Sequence, residues 1–328
     1  MIVRGGGVEA ADPDSFAPRS GDAVTNGERN TRTDRGRRSS AILRIVTGLL
    51  ALAGVAVLLY SPAASWLSAY NQSLIVDGYR ADAADADPGP AAQLEEARRY
   101  NAALSSGALV GAGASVPTSD AATDLGFDYD SILHTRTGVM SRIQIPGIDV
   151  DLPIYHGTDP ATLLRGAGHL EGTSLPVGGE DTHAVITAHR GLADATMFTD
   201  LDRMQRGDRF TLTTFGEVLT YEVVEIAVVA PSDTLSLQAE AGRDLVTLVT
   251  CTPLGINSHR ILVTGERVTP TPPASLLGAG AASGGPGFPW WIPVFLASVL
   301  VVALYVGRGF RRASRRASPE VGDSAATA

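Results

Sequence analysis

The sequence predicts a mostly β protein. We expect a closed or nearly closed β-barrel of about eight strands with short helices, an N-terminal helical stalk and two transmembrane helices. Residues 132–268 hold short runs rich in Val, Ile, Leu and Thr, separated by turn residues. Long apolar runs lie on either side of this region, at 41–60 and 290–306, and a bilayer-spanning helix needs about 20 residues. Residues 65–104 alternate polar and apolar side chains at helical spacing.

Composition limits the class of protein. The 328 residues carry a formal charge of −9, which does not suit a nucleic-acid binder. All 26 positive side chains are arginines, so the chain has no lysine. The only cysteine, Cys251, excludes an intramolecular disulfide and a zinc site built from several cysteines. We expect neither a cofactor nor a bound metal.

The N-terminal part predicts a membrane anchor. Residues 1–40 are rich in Gly, Asp, Ser and Arg, which predicts a disordered segment. Several arginines precede the apolar run at 41–60, so we predict a transmembrane helix with a cytoplasmic N-terminus; a cleaved signal peptide is the alternative. We interpret residues 61–131 as an extracytoplasmic helical stalk with a candidate lid. Asp87-Pro-Gly-Pro90 separates its two helices.

Seven runs within residues 132–268 predict the strands of the barrel, and their short spacing favours this architecture. They lie at 140–145, 150–155, 183–189, 209–215, 218–230, 244–251 and 260–265. Residues 195–204 predict a helical insert.

The C-terminal part predicts a second anchor. Residues 269–289 form a linker rich in Thr, Pro, Gly and Ala, and the transmembrane helix predicted at 290–306 begins with two tryptophans, as in an aromatic belt. The arginines that follow place the basic tail, 307–328, in the cytoplasm. Both Arg-rich flanks therefore indicate that the β domain lies outside the cell, held in the cell membrane at both ends.

Cys251 is the candidate nucleophile. It ends a β run beside a polar loop, and a lone cysteine is either a small buried hydrophobe or a reactive thiol. His189 also ends a β run before a turn, so the two side chains could meet on one rim of the barrel. Arg260 opens the next run. If the two runs pair antiparallel, it lies near Cys251 and could stabilise an oxyanion; a solvated strand-end charge is the alternative.

The other histidines suit this role less well. His183 lies at the opposite end of the strand that carries His189, about 20 Å away if the strand is extended. His156 and His169 lie in Gly-rich segments, and we predict that they are turn or surface residues.

Several motifs resemble those of one family. Thr247-Leu-Val-Thr-Cys251, with Arg260 after the loop, resembles the sortase signature TLxTC followed by Arg, and Thr187-Ala-His189-Arg-Gly resembles the histidine motif of the family. Four more segments are similar to class C, the pilus-assembling sortases, of actinobacterial type: 138–146, 152–158, 168–174 and 251–260. The resemblance covers about residues 130–268, and paired membrane spans are usual for class C.

The resemblance implies a sortase-like barrel with the activity of a membrane-anchored cysteine transpeptidase in a Gram-positive cell wall. Cys251 would be the nucleophile and His189 the general acid and base. Arg260 would stabilise the oxyanion and help to hold the substrate. The partners would be pilins or surface proteins with an LPxTG-type signal. The enzyme would cleave this signal through a thioester and transfer the acyl group to a pilin lysine. The chain lacks lysine and has no LPxTG before its second span, so it matches the enzyme and not the substrate.

One departure and three alternatives accompany this interpretation. Many class C sortases carry a lid with an Asp-Pro-aromatic motif, but no aromatic residue follows any Asp-Pro pair here. We hypothesise that residues 105–131 partly occlude the site. The alternatives are a membrane-anchored cysteine protease, a housekeeping sortase that attaches proteins to peptidoglycan, and a non-enzymatic surface anchor in which Cys251 is buried.

Overall fold

The computed structural model describes residues 25–105, 126–192, 195–233 and 235–315. Predictions for 1–24, for 316–328 and for most of the candidate lid, 106–125, lie outside the described residues. The chain divides into two compact units. One is Val57–Pro293, and the other combines Met1–Ala56 with Val294–Ala328.

In the described residues, the α-helices are α1 (Thr25–Ala84), α2 (Pro90–Ser105), α3 (Pro160–Arg165), α4 (Pro273–Gly280) and α5 (Trp291–Arg315). The strands are β1 (Val139–Ile145), β2 (Val150–His156), β3 (Ala167–His169), β4 (Thr182–Thr187), β5 (Arg209–Thr214), β6 (Glu217–Val229), β7 (Asp244–Thr252) and β8 (His259–Arg267). Single turns of 3-10 helix lie at Tyr129–Ser131, Pro146–Ile148, Leu201–Arg203 and Leu235–Leu237.

The eight strands form a closed barrel in the order β1-β2-β3-β4-β7-β8-β6-β5, which confirms the predicted fold class. The β2–β3 and β4–β7 pairs are parallel, and the other pairs are antiparallel. Seven strands lie where the sequence predicts them. The sequence did not predict β3, because its three residues, Ala-Gly-His, carry no β-branched pattern.

The interior of the barrel is apolar and closely packed. Phe210 and Tyr221 are fully buried, and their rings stack with centroids 5.6 Å apart. Gly265 on β8 lies against this pair, and a Cβ there would come within 2.5 Å of Cε1 of Phe210. Glycine at this position therefore lets the backbone of β8 lie directly against the aromatic pair.

The predicted helical stalk is helical, and within the larger unit it packs against the barrel instead of standing free. The Tyr79 hydroxyl on α1 donates to the carbonyl of Met140 and accepts from the backbone N–H of Phe215, both at 2.9 Å. The Asn101 side chain on α2 both donates to and accepts from the backbone of Leu175. The Asp-Pro-Gly-Pro segment separates the two helices, as predicted.

Two helical segments are long and apolar enough to cross a membrane, Ser39–Ala84 and Trp291–Arg311. Their apolar side chains are largely exposed, as lipid-facing residues would be. Within the smaller unit Gly48 lies against Val302, and a Cβ at Gly48 would come within 2.8 Å of a methyl of that valine. A small residue at a helix contact allows close approach of the two helices.

Two segments differ from their predicted structure. The helix predicted at 195–204 is wrong, because only Leu201–Arg203 forms a turn of 3-10 helix. The apolar residues Met197 and Phe198 are instead buried as anchors of a loop, and the N–H of Phe198 donates to the carbonyl of His189. Part of the predicted linker at 269–289 is helical, namely α4. Arg142 holds the end of that helix by donating to the carbonyls at positions 279 and 281.

Candidate active site

Three neighbouring strand ends bring His189, Cys251 and Arg260 into one row. Cys251 on β7 is directly opposite Arg260 on β8 in their antiparallel ladder. On its other side β7 pairs in parallel with β4, and the last pair is Thr187 with Val249. Continuing this register by two residues places His189 opposite Cys251. Residues in register on adjacent strands lie about 5 Å apart, so the three side chains start from neighbouring positions.

Further hydrogen bonds carry the register of β4 and β7 beyond the ladder. The N–H of Ala188 donates to the carbonyl of Val249 at 3.2 Å. The hydroxyl of the buried Thr250 donates to the carbonyl of Ala188 at 2.9 Å. These contacts join the strands at the residues that precede His189 and Cys251. The two candidate residues therefore leave the sheet from backbones that are fixed relative to each other.

The row lies on the outer face of the barrel wall. Val246 and Leu248 on β7 belong to the main core, whereas Val249 belongs to a separate small cluster with Val185 of β4 and Leu262 of β8. Side chains alternate between the two faces of a strand. Cys251 therefore lies on the same face of β7 as Val249. In the same way Arg260 lies on the face of Leu262, and His189 continues the face of Val185. This cluster forms an apolar floor beside the thiol.

The side chains of the row are only partly buried. A substrate can therefore reach them from solvent. Cys251 is a free cysteine of intermediate exposure, and His189 and Arg260 are also partly exposed. One guanidinium nitrogen of Arg260 donates to the carbonyls of Asn257 and His259, both at 3.0 Å. Among the described residues no carboxylate forms an ion pair with Arg260. Its charge is therefore oriented by neutral groups and is not neutralised.

The loops that leave this row pack against each other. Gly191, two residues after the histidine, has φ of +74°, and a Cβ there would come within 2.5 Å of Leu254. Leu254 and Ile256, in the loop between β7 and β8, are 57% and 72% exposed. The rim beside Cys251 therefore presents apolar side chains to solvent.

Three other histidines are structural. His169 is fully buried between the Tyr129 hydroxyl at 2.8 Å and the carbonyl of Ser174 at 2.9 Å, and burial lowers its pKa to about 4. Burial also lowers the pKa of His156, which bonds a backbone carbonyl, and the pKa of His183. The prediction that His156 and His169 are turn or surface residues is wrong. Both belong to strands, and their ring nitrogens bond backbone groups or a buried tyrosine.

His183 lies near the start of β4, on the face that carries Val185, whereas His189 lies two residues beyond the other end of that strand. Its ring joins the Thr247 hydroxyl at 2.7 Å to the carbonyl of Gln238 at 2.8 Å. It thereby fixes the connection between β6 and β7 against the sheet, close to Leu237, which packs on the apolar floor. In the part of the chain that the structure describes, no group of three or more His, Cys, Asp and Glu side chains could hold a metal ion.

Known proteins are similar to this chain in fold and in part of the sequence. The family model of the sortase domain matches residues 143–268. Sortase D of Bacillus subtilis is 33% identical over 139 residues, which cover 41% of this chain and 67% of that protein. Sortase C1 of Streptococcus agalactiae is similar with a TM-score of 0.52 and 39% identity, over 58% of this chain and 95% of that one. Sortase A of Corynebacterium diphtheriae has a TM-score of 0.50 and 40% identity, over 63% of this chain and 95% of that one.

Proposed function

This chain belongs to the sortase family of cysteine transpeptidases, and we propose that it is a class C enzyme that joins an LPxTG-type sorting signal to a pilin lysine. The observation that carries this proposal is the common register of His189, Cys251 and Arg260. Acyl transfer to an amine needs a nucleophile, a proton-transfer group and a donor to the oxyanion. The three strand ends supply these groups in one row.

The first half-reaction acylates Cys251. Its thiolate attacks the carbonyl carbon of the threonine, and the negative charge that moves to the oxygen is stabilised by the guanidinium of Arg260. The bond between threonine and glycine then breaks. The imidazolium of His189 donates its proton to the leaving amine. The products are a thioester on the cysteine and a polypeptide with a free glycine amine.

The second half-reaction transfers the acyl group to an amine. A lysine amine attacks the thioester carbon, and neutral His189 accepts the proton that the amine loses. The tetrahedral intermediate collapses, the thiolate of Cys251 leaves, and an isopeptide bond forms. The thioester retains enough activation for this step, so no nucleotide is needed. Since this chain has no lysine, the acceptor lysine belongs to another protein.

The apolar floor suits the residues that precede the scissile bond. Val185, Val249 and Leu262 lie on the face that carries Cys251, and Leu237 packs against them from the connection between β6 and β7. An extended Leu-Pro segment could place its side chains on this surface with the threonine carbonyl at the thiol. Recognition would then be largely apolar, with Arg260 as the polar contact.

The choice of a pilin acceptor has its own support. The motif segments at 152–158 and 251–260 resemble class C enzymes, and the fold is similar to that of sortase C1 of Streptococcus agalactiae. Two helices could span a membrane, one on each side of the barrel in sequence. With Arg-rich flanks in the cytoplasm, both termini would be cytoplasmic and the barrel would lie outside, where secreted pilins are assembled.

Intact-mass analysis of the full chain in detergent tests the chemistry. With an LPATG peptide we expect the mass of the acyl group to be added to the wild type and not to Cys251→Ala. A wild type that forms no adduct would refute the proposal. Adding a lysine-containing pilin peptide or a peptidoglycan stem peptide then identifies the acceptor. Conversion to the free acid in the presence of both amines would favour the protease interpretation.

A further inference from the structure

Arg190 links the residue after His189 to the residue after Cys251. Its NH1 nitrogen donates to the hydroxyl of Thr252 at 3.1 Å. Its NH2 nitrogen pairs with the carboxylate of Asp202 at 2.5 Å, and Nε donates to a backbone carbonyl at position 199 at 3.0 Å. The side chain is only 11% exposed. One planar guanidinium therefore contacts the end of β7 and two positions of the loop at 195–204 at once.

The position of His189 depends on contacts of this kind. The histidine lies two residues beyond the end of β4, and the last ladder pair is Thr187 with Val249. Its own carbonyl accepts a hydrogen bond from Phe198 at 3.0 Å, which holds it from the loop side. Arg190 is the side chain next to it that reaches β7 itself. Ala188 joins the two strands one residue earlier. Without the Arg190 contact, the chain beyond Ala188 would be free to move away from β7 just where proton transfer needs a short distance.

Arg190 is itself fixed by a rigid support. Asp202 belongs to the 3-10 turn Leu201–Arg203, and Leu201 is fully buried in the main core. The core therefore anchors the backbone beside Asp202, and its carboxylate, on a side chain that is 46% exposed, orients the guanidinium. Arginine suits simultaneous contacts with Thr252 and Asp202, because its donors point in fixed directions in one plane.

We propose that Arg190 is a positioning residue for the transpeptidation reaction, and that with Asp202 it holds the ends of β4 and β7 together so that His189 stays beside Cys251. This inference rests on the proposed function and extends it. The Arg190 side chain is largely buried and each guanidinium nitrogen already has a partner, so Arg190 is expected to make no contact with the sorting signal. Its loss should therefore slow the chemical step and leave binding of the signal largely unchanged.

The neighbouring pair of Arg203 and Asp200 provides a matched control. It lies in the same segment and also joins an arginine to an aspartate, but at 3.5 Å and with the arginine side chain 72% exposed. It has no contact with β7 among the hydrogen bonds of the described residues. Arg203→Met therefore removes the same charge without loosening the two strand ends.

Single-turnover formation of the thioester tests the inference, with full-length enzyme in excess over an LPATG peptide. The rate constant at saturating enzyme is the readout, because an unfolded fraction of enzyme raises the total concentration needed for saturation and leaves that rate constant unchanged. We expect Arg190→Met to lower it roughly 10- to 100-fold, since a displacement of about 1 Å can have this effect. The enzyme concentration for half-maximal rate should change less than about twofold. Arg190→Lys should recover only part of the rate, because one ammonium cannot serve three separated acceptors.

A double substitution separates positioning from a general loss of structure. Thr252→Val removes one acceptor and keeps the shape of the side chain, so it should slow the reaction less than Arg190→Met. The two together should be no slower than Arg190→Met alone, because they remove the same contact. Equal rate constants for Arg190→Met and Arg203→Met would refute the inference while leaving the proposed function intact. A wild type without any thioester would refute both.

Discussion

The hydroxyl of Tyr79 ties the first helix to the barrel, so removing it measures how far that helix belongs to the folded domain. Tyr79 is 3% exposed, and its hydroxyl serves the carbonyl of Met140 and the N–H of Phe215. Tyr79→Phe leaves these two backbone groups without that partner in a buried site. A buried donor without a partner costs about 1–3 kcal/mol, and the loss of the second bond adds about 1 kcal/mol. We therefore expect a loss of about 2–4 kcal/mol of unfolding free energy.

For a domain of this size each kcal/mol shifts Tm by about 2–4 °C, so the expected decrease is roughly 5–15 °C. The assay is thermal unfolding of the full chain in detergent, followed by the circular dichroism of the β-sheet. Tyr70→Phe is the control, because Tyr70 lies on the same helix and is 42% exposed; its effect should stay within about 0.5 kcal/mol. If the two variants melt at the same temperature, the helix does not stabilise the barrel through this contact.

Three further predictions concern the site and its surroundings. Arg260→Gln should lower the rate of thioester formation by about 10²–10³-fold, as loss of an oxyanion donor does; a loss below about fivefold in single-turnover kinetics would exclude that role. Leu237→Asn should raise KM for an LPATG peptide about 10-fold with little change in kcat, whereas the exposed Leu277→Asn should change neither. Burial lowers the pKa of His169 to about 4. The unfolded chain therefore binds protons below about pH 6.5 that the folded chain does not bind, and stability should fall from pH 6.5 towards pH 4. Melting curves should show this fall in the wild type and a smaller one in His169→Asn, and identical pH profiles would contradict the assignment.

The residue pattern was sufficient to predict most of the barrel. Alternation and β-branched composition are local properties, so β1, β5 and β6 lie within one or two residues of their predicted bounds. The turn at Asp87-Pro-Gly-Pro90 was equally local. The helix predicted at 195–204 was wrong because apolar residues at helical spacing can also anchor a loop. The burial of Met197 and Phe198 decides between the two outcomes, and burial depends on distant parts of the chain.

The candidate site was predicted only in part. The sequence indicated Cys251 and Arg260 as neighbours across a turn, and the antiparallel register of β7 and β8 confirms that they are opposite each other. No local pattern predicts that Arg190 reaches Thr252, because an arginine after a histidine has many available partners. Nor could the sequence show that His169 is buried, because the histidine lies in a strand of only three residues.

The sequence by itself determined the local features of this protein. These are the apolar runs long enough to cross a membrane, the strand-forming runs, and a cysteine and a histidine that each end such a run. The tertiary structure decided which strands are neighbours. The parallel pairing of β4 with β7 joins residues 62 apart in the chain, and it brings the segments that carry His189 and Cys251 side by side. Such pairings arise from the packing of the whole barrel, so no local pattern of residues specifies them.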